Sequence, residues 1–446
     1  MSLSSAMTSL ASSRRVAVAL VTAAIVFLLP LSVWRTSPAD VSQAPAAAAG
    51  SGKVVAHPWD TRRYIRPKIE ATSFRDRLRS DVKYLAQWGG PVGFSNQIIS
   101  QIHVLYLALL SERVPIIPPF IANGHVGYDE PVLSFGEVFD LDFLRAQLRA
   151  PVLEWSDVQA RDGATDTLGC WALANWHGPA QTPMDFSHAL GVDVVYTPVP
   201  HDARSDYMYA TDHVAELVHP GSGLAELYRQ SSEAPEALRP DDHLACFDFT
   251  YFVSSAADLN LDHSAGAFWP AWWMAGQHVR FTRAVRERAQ GQLRRAFALQ
   301  AEAAVPAYIS VHIRRGDFVD ICGDVPTNEC FAPLSAYVRR VQEVQENLQA
   351  RDGVAIERVI VSSNEHAPSF WAEVDRLGWA HIDYGTGDTN GGWWGIILDT
   401  CIQAMSDGFV GTWGSTVSEL SQRRVESWNS GPTRMVRWGK PGADDH

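Results

Sequence analysis

Tyr308-Ile-Ser-Val-His-Ile-Arg-Arg-Gly-Asp-Phe318 changes from a strand pattern to a charged loop within one residue. Tyr308 to Ile313 follows Pro306 and alternates β-branched with small residues, which reads as a buried strand. Arg314, Arg315 and Asp317 then follow, with Gly316 permitting a tight turn. In α/β sheets, ligands sit outside the carboxyl ends of the strands. Two adjacent guanidinium groups there are permanently charged, and their planar forks suit phosphate or carboxylate. An Arg–Asp pair that merely caps the strand is the structural alternative.

Downstream the pattern alternates in the same way. A helix is expected over Leu334–Arg351, a strand over Val359–Asn364 and a third strand over Ala380–Tyr384. Gly391 to Met405 is an apolar helix with Asp399 inside it, a carboxylate that needs a partner from protein or ligand. Gly408-Phe-Val-Gly-Thr-Trp-Gly-Ser-Thr416 is a short strand breaking into a Gly/Ser/Thr loop, with the next helix at Val417–Arg424. Free backbone N–H groups at such a helix start hold anions. In a parallel sheet, Arg314/Arg315, Ser362/Ser363/Asn364 and Ser415/Thr416 share one edge, which suits a nucleotide diphosphate.

The chain has 446 residues, 46% hydrophobic and 20% charged, the balance of a folded protein long enough for two domains. A net charge of -13 argues against nucleic acid as a partner, because phosphate backbones reward basic faces. The sixteen tryptophans would serve mostly as core, with some free to stack on sugars.

Arg14-Arg15 precede the uncharged run Val16–Trp34, which at ~1.5 Å per residue spans roughly 28 Å, close to a hydrocarbon core. The reading is a transmembrane signal anchor at 16–34, with a cytosolic tail at 1–15 set by the positive-inside bias. A cleaved signal peptide is the competitor. Residues 35–60 are Ala/Ser/Pro/Gly-rich and read as a flexible stem. Anchor, stem and body form the plan of a single-pass type II membrane enzyme of the Golgi or endoplasmic reticulum, with its body lumenal. Five cysteines fit an oxidising lumen. Cys322–Cys330 and Cys170–Cys246 are candidate bridges that leave Cys401 as a buried thiol, with five unpaired thiols as the alternative.

In the first half, Ile65–Trp88 is charged and amphipathic and reads as one or two helices. Gly89-Gly-Pro-Val-Gly-Phe-Ser-Asn-Gln97 then runs into a helix, where Asn96 serves either as cap or as ligand group. Val114–Phe120 reads as a strand. Asp140-Leu-Asp142 has a diphosphate–metal form but the setting of a helix cap, and the scattered histidines of 177–219 lack zinc spacing. Residues 150 to 275 are otherwise quiet. Gln277–Gln300 is a helix with one buried stripe, and its arginines (280, 283, 286, 288, 294, 295) read as a solvated basic face bearing no binding site.

His312-Ile-Arg314-Arg315-Gly-Asp317, Asp399 and Phe409-Val-Gly-Thr-Trp-Gly-Ser-Thr416 together resemble the C-terminal motifs of the GDP-fucose protein O-fucosyltransferases and their α1,6-fucosyltransferase relatives. Gly93-Phe-Ser-Asn-Gln97 is similar to the same superfamily's N-terminal glycine-rich motif, and the likeness runs over roughly Trp88–Arg424. The resemblance implies two facing Rossmann-like α/β domains of GT-B type: an acceptor-side domain with its linker helix at 61–300 and a GDP-fucose-binding domain at 301–446. It implies no metal and no cofactor beyond the donor substrate GDP-fucose. By motif, Arg314 would contact the β-phosphate, with Ser415 and Thr416 on phosphate oxygens. His312 and Asp399 would read guanine and ribose, Asn96 would face fucose and acceptor, and Arg315 and Asp317 belong to the same block. Two positions depart from the pattern. Gly89–Gln97 carries no acid to act as base, and Val417 stands where the relatives often have phenylalanine or serine. The implied activity is an inverting transfer of fucose to a protein Ser/Thr hydroxyl. A glycan hydroxyl as acceptor, or a non-catalytic carbohydrate- or partner-binding ectodomain, are the alternatives.

Overall fold

A computed structural model describes residues 59–445 apart from 68–71, 91, 123–125, 128, 160–164, 174–185, 200–203, 206–207, 255–269 and 383–391. The expected anchor at 16–34 and nearly all of the stem lie outside the described residues. Among the described residues, no helix is long and apolar enough to cross a membrane.

Among the described residues there are fourteen strands. They are β1 (Tyr84–Gln87), β2 (Val114–Ile117), β3 (Leu153–Glu154), β4 (Asp166–Ala172), β5 (Val192–Pro198), β6 (Arg204–Ser205) and β7 (Met208–Ala210). After them come β8 (Leu244–Phe247), β9 (Val253–Ser254), β10 (Ile309–Ile313), β11 (Val359–Ser363), β12 (Ala380–His381), β13 (Gly408–Thr412) and β14 (Thr433–Val436). The first large sheet has the order β3-β2-β1-β8-β4-β5 and the second β12-β11-β10-β13-β14. Every pair in both is parallel. β6, β7 and β9 form a separate small sheet in the order β6-β7-β9.

β10 shows how the sequence builds the second sheet. Ile309, Val311 and Ile313 enter the apolar core on one face, with Val359, Val361 and Val410 from the neighbouring strands. The alternate residues turn to the other face, where Ser310 Oγ lies 2.8 Å from Ser406 Oγ and the Tyr308 hydroxyl donates to the Ile402 carbonyl at 2.7 Å. That face is covered by the helices Gly392–Ala404 and Thr416–Asn429. Gly411 lets the second of them settle, because a Cβ there would lie 2.7 Å from Ser418 Cβ.

One apolar core joins the two sheets. It contains Leu85 and Phe94 from the first half together with Trp393, Leu398 and Leu420 from the second. At its centre Phe120 packs on Phe94, Phe135 and Phe139, and on the Trp393 ring 6.1 Å away.

The structure departs from the sequence reading at Ile65–Trp88. The described residues of this segment hold one short 3-10 turn, Phe74–Arg77, and then β1, rather than one or two helices. All four β1 residues are buried, so the strand shows no alternation to read. The expected helix over Gln277–Gln300 is regular only over Arg283–Ala296, after a 3-10 turn at Gly276–His278. The strands of the quiet region, β3, β4, β5 and β8, complete the first sheet. Asp140 caps the helix Leu141–Leu148 by accepting from the Phe143 N–H at 2.9 Å, while Asp142 pairs with Arg145. Cys170 is bonded to Cys246 across neighbouring strands, Cys322 to Cys330, and Cys401 is free and buried.

Phe120 is fully buried at the junction of the two halves. Phe120→Ala is expected to lower the unfolding free energy by about 3–5 kcal/mol, read by urea denaturation. A loss below about 1 kcal/mol would contradict a tightly packed joint core.

Candidate functional site

Both large sheets reverse their strand order next to their first strand, and ligand crevices form at such points. In the second sheet the reversal lies between β10 and β13, the strands that end in Arg314 and in the Trp413–Ser415 turn. In the first it lies between β1 and β8, and the loop after β1 leads to the helix Phe94–Leu110 and Asn96. That helix packs against Thr416–Asn429, the helix following β13.

Two groups suited to an anion stand at the ends of β10 and β13. The first is the N-terminus of helix Thr416–Asn429. Its cap residue Ser415 makes no side-chain cap hydrogen bond, so the first-turn N–H groups keep their capacity. Ser415 is buried and Thr416 half-buried there. The second component is Arg314, whose Nη2 meets Asp317 Oδ2 at 2.7 Å with 18% of the side chain exposed.

A hydroxyl network holds the two components in place. Thr412 Oγ1 accepts from the Arg314 N–H at 2.8 Å, donates to the His312 carbonyl at 3.0 Å and lies 2.8 Å from the Tyr337 hydroxyl. With its own proton on His312, Thr412 receives the Tyr337 proton, so its full capacity is used. Ser418 Oγ accepts from the Thr412 N–H at 2.9 Å and bonds His312 Nδ1 at 2.7 Å. From β11, Asn364 Oδ1 accepts from the Arg315 N–H at 2.8 Å and its Nδ2 donates to Asp317 Oδ1 at 3.2 Å. Gly316 has φ +51, and a Cβ there would lie 2.5 Å from Asn364 Nδ2, so the loop requires glycine.

The residues singled out from sequence are thus distributed. Arg314, Asp317, Ser415 and Thr416 line the ends of β10 and β13. Arg315 turns elsewhere: its guanidinium lies 4.9 Å from the Phe370 ring and 3.6 Å from Glu365. His312 is buried behind the crevice at 5% exposure. Burial, reinforced by the Arg314 charge, pulls its pKa down to about 3. Asp399 is half-buried on the helix Gly392–Ala404. Asn96 Oδ1 and its neighbour Ser95 Oγ are buried without a hydrogen-bond partner. Such orphaned acceptors at a switch point mark a place for a ligand or water. Thr412, Ser418 and Tyr337 had no assigned part in the sequence reading. Thr412 showed as a hydroxyl in an otherwise apolar strand, while Ser418 and Tyr337 lie in mixed polar helices where only the folded neighbours single them out.

No family model and no curated protein matches the chain. Solved structures do. POFUT1 in complex with GDP-fucose is similar at 15% identity and a TM-score of 0.48, over 80% of this chain and 98% of that one. The POFUT1 apo-form is similar at 14% identity and a TM-score of 0.49, over 80% of this chain and 99% of that one. NodZ alpha-1,6-fucosyltransferase soaked with GDP-fucose is similar at 13% and 0.39, over 77% and 93%.

Two tests follow from the geometry. Ser418→Ala leaves His312 Nδ1 and the Thr412 N–H buried and unpaired, and should cost about 1–3 kcal/mol by denaturant unfolding; an unchanged midpoint would show the network to be slack. His103, bonded through Nδ1 to the Thr250 carbonyl at 3.0 Å, is likewise pulled down to about 4 by burial. Unfolded histidines take up protons near pH 6.5 and these two do not, so their stabilising contribution is full above pH 6.5 and is lost as pH falls towards 4 and 3. Imidazole resonances should show both neutral at pH 5; a protonation midpoint near 6.5 in the folded protein would overturn the assignment.

Proposed function

We propose that this chain is an inverting fucosyltransferase that uses GDP-fucose, most readily with a protein Ser/Thr hydroxyl as acceptor. The observation that carries the reading is the β10/β13 crevice, where Arg314 stands beside the uncapped N-terminus of helix Thr416–Asn429. A permanent cation facing aligned N–H groups favours a doubly charged diphosphate over a neutral ligand. The choice of GDP-fucose among nucleotide sugars rests on the sequence motifs that resemble the O-fucosyltransferases.

In such a transfer the acceptor oxygen attacks the anomeric carbon of fucose from the face opposite the diphosphate, and the carbon–oxygen bond to GDP breaks. The electron pair leaves with the β-phosphate. Arg314, the Ser415 and Thr416 hydroxyls and the first-turn N–H groups are preorganised for that charge, each donor being worth about 2.7–4 kcal/mol in comparable sites. Thr412 and Ser418 act through position, holding the arginine loop to the helix start. Asn96 enters from the first half with an unpaired acceptor oxygen, suited to a sugar or acceptor hydroxyl. The acceptor proton must go to a base. The Gly89–Gln97 loop carries no acid, so the base comes from outside it.

For localisation we propose a lumenal body on a type II anchor in the Golgi or endoplasmic reticulum. Supporting it are the apolar run at 16–34 and the two disulfides, since bridges persist in oxidising compartments.

The direct test is calorimetric titration of GDP and UDP into the full-length protein with EDTA present. GDP should bind in preference to UDP, and Arg314→Ala should weaken GDP roughly 10- to 100-fold while leaving the fold intact. Wild-type GDP affinity in that variant would remove the crevice from consideration. Release of GDP from GDP-fucose with peptide and with glycan acceptors then separates the two acceptor classes, and binding without turnover favours a non-catalytic role.

A further inference from the structure

The helix that opens onto the crevice carries a second cationic feature roughly two turns further on. Arg424 is only 1% exposed, and its Nε and Nη1 are buried without a hydrogen-bond partner. Its guanidinium carbon lies 4.9 Å from the Phe281 ring centre and 5.7 Å from that of Trp428. Arg280 rests on the same indole at 4.1 Å. Ring faces attract a cation but offer no lone pair in the plane of the guanidinium fork, so those N–H donors stay unused.

Arg286 adds a third charge. Burial, together with the Arg286 charge, lowers the Arg280 pKa to about 10, and both Arg286 and Arg424 act on the buried Cys401 thiol. Arg424 is also lowered to about 10 by burial, so it and Arg280 remain cations at neutral pH. Nearby carboxylates are engaged elsewhere, Glu287 with Arg283 and Glu426 with Arg423 and Thr433. Among the described residues, Arg280, Arg286 and Arg424 have no carboxylate partner, although the protein is acidic overall. The three are graded in exposure, Arg286 at the surface, Arg280 half-buried and Arg424 inside.

A buried guanidinium with idle donors needs an acceptor, and neighbouring like charges favour an anionic one. We infer that Arg280, Arg286 and Arg424 form an oxyanion-binding site, separate from the β10/β13 crevice, for a sulfate or phosphate group that is either free or carried on a larger molecule. Guanidinium forks match the paired oxygens of such groups. The inference stands on these residues alone and does not depend on the nucleotide reading.

The test is titration of sodium sulfate, and separately of glucose 6-sulfate, into the full-length protein with ionic strength held by sodium chloride. Saturable sulfate binding is expected, weakened at least tenfold in Arg280→Ala and in Arg286→Ala. Arg424→Met should abolish it, and the other two variants decide the matter if that one does not fold. Tighter binding of glucose 6-sulfate than of sulfate supports the site with a carried group as its ligand, and equal or weaker binding supports it with a free oxyanion. Absence of saturable binding of either probe overturns the inference. So does binding that is lost in Arg314→Ala but kept in Arg280→Ala and Arg286→Ala.

Discussion

The parallel pairing of β10 with β13 positions most of what surrounds the crevice. It brings the end of one strand, with its arginine, level with the end of another, from which a helix departs. Because the strands run in the same direction, a cation and an uncapped helix N-terminus arrive at one edge of the sheet. The Thr412 hydroxyl then ties them together, touching the Arg314 amide, the His312 carbonyl and the Tyr337 hydroxyl at once. A hydroxyl with one proton and two acceptor sites has no further capacity, so the geometry admits little alternative.

The same pairing explains why two histidine and serine side chains stay in the core. His312 and Ser418 satisfy one another on the helix-covered face of the sheet, and burial keeps the imidazole uncharged. A neutral ring behind Arg314 avoids placing a second cation next to it. Gln403 extends the network, donating to Ser362 Oγ at 2.6 Å and accepting from Ser421 Oγ at 2.5 Å. Strand β11 and both covering helices are thereby locked in register with the site.

The first half of the chain is held to this frame by aromatic packing. Trp393 meets Phe94 and Phe120, and its indole nitrogen donates to the Pro131 carbonyl at 2.8 Å. Phe94 is two residues before Asn96 and begins the same helix, so the packing that joins the halves also places the orphaned Asn96 oxygen. Arginines thought to be solvated take part as well: Arg288 lies 4.1 Å from the Trp394 ring centre and Arg280 the same distance from that of Trp428. Periodicity showed a basic helix face. It carried no information on which indoles would meet it.

How much was legible from sequence follows a physical division. Strands β10, β11 and β13, the apolar helix at Gly392–Ala404 and the loops after each strand were readable because alternation, helical period and glycine are local signals. β1 was not, since a four-residue strand buried on both faces has no period, and neither was the region of β3 to β5, where strands are short or irregularly spaced. The sequence by itself determined the residue chemistry: paired arginines after a strand, hydroxyls before a helix, cysteines spaced for two bridges. Only the tertiary structure decided that Arg314 pairs with Asp317 while Arg315 packs on Phe370 and Glu365, and that Thr412 and Ser418 bind the loops together. Adjacent residues differ by the direction of one backbone turn, and that direction is set by contacts from Asn364, Thr412 and the core, which lie far along the chain.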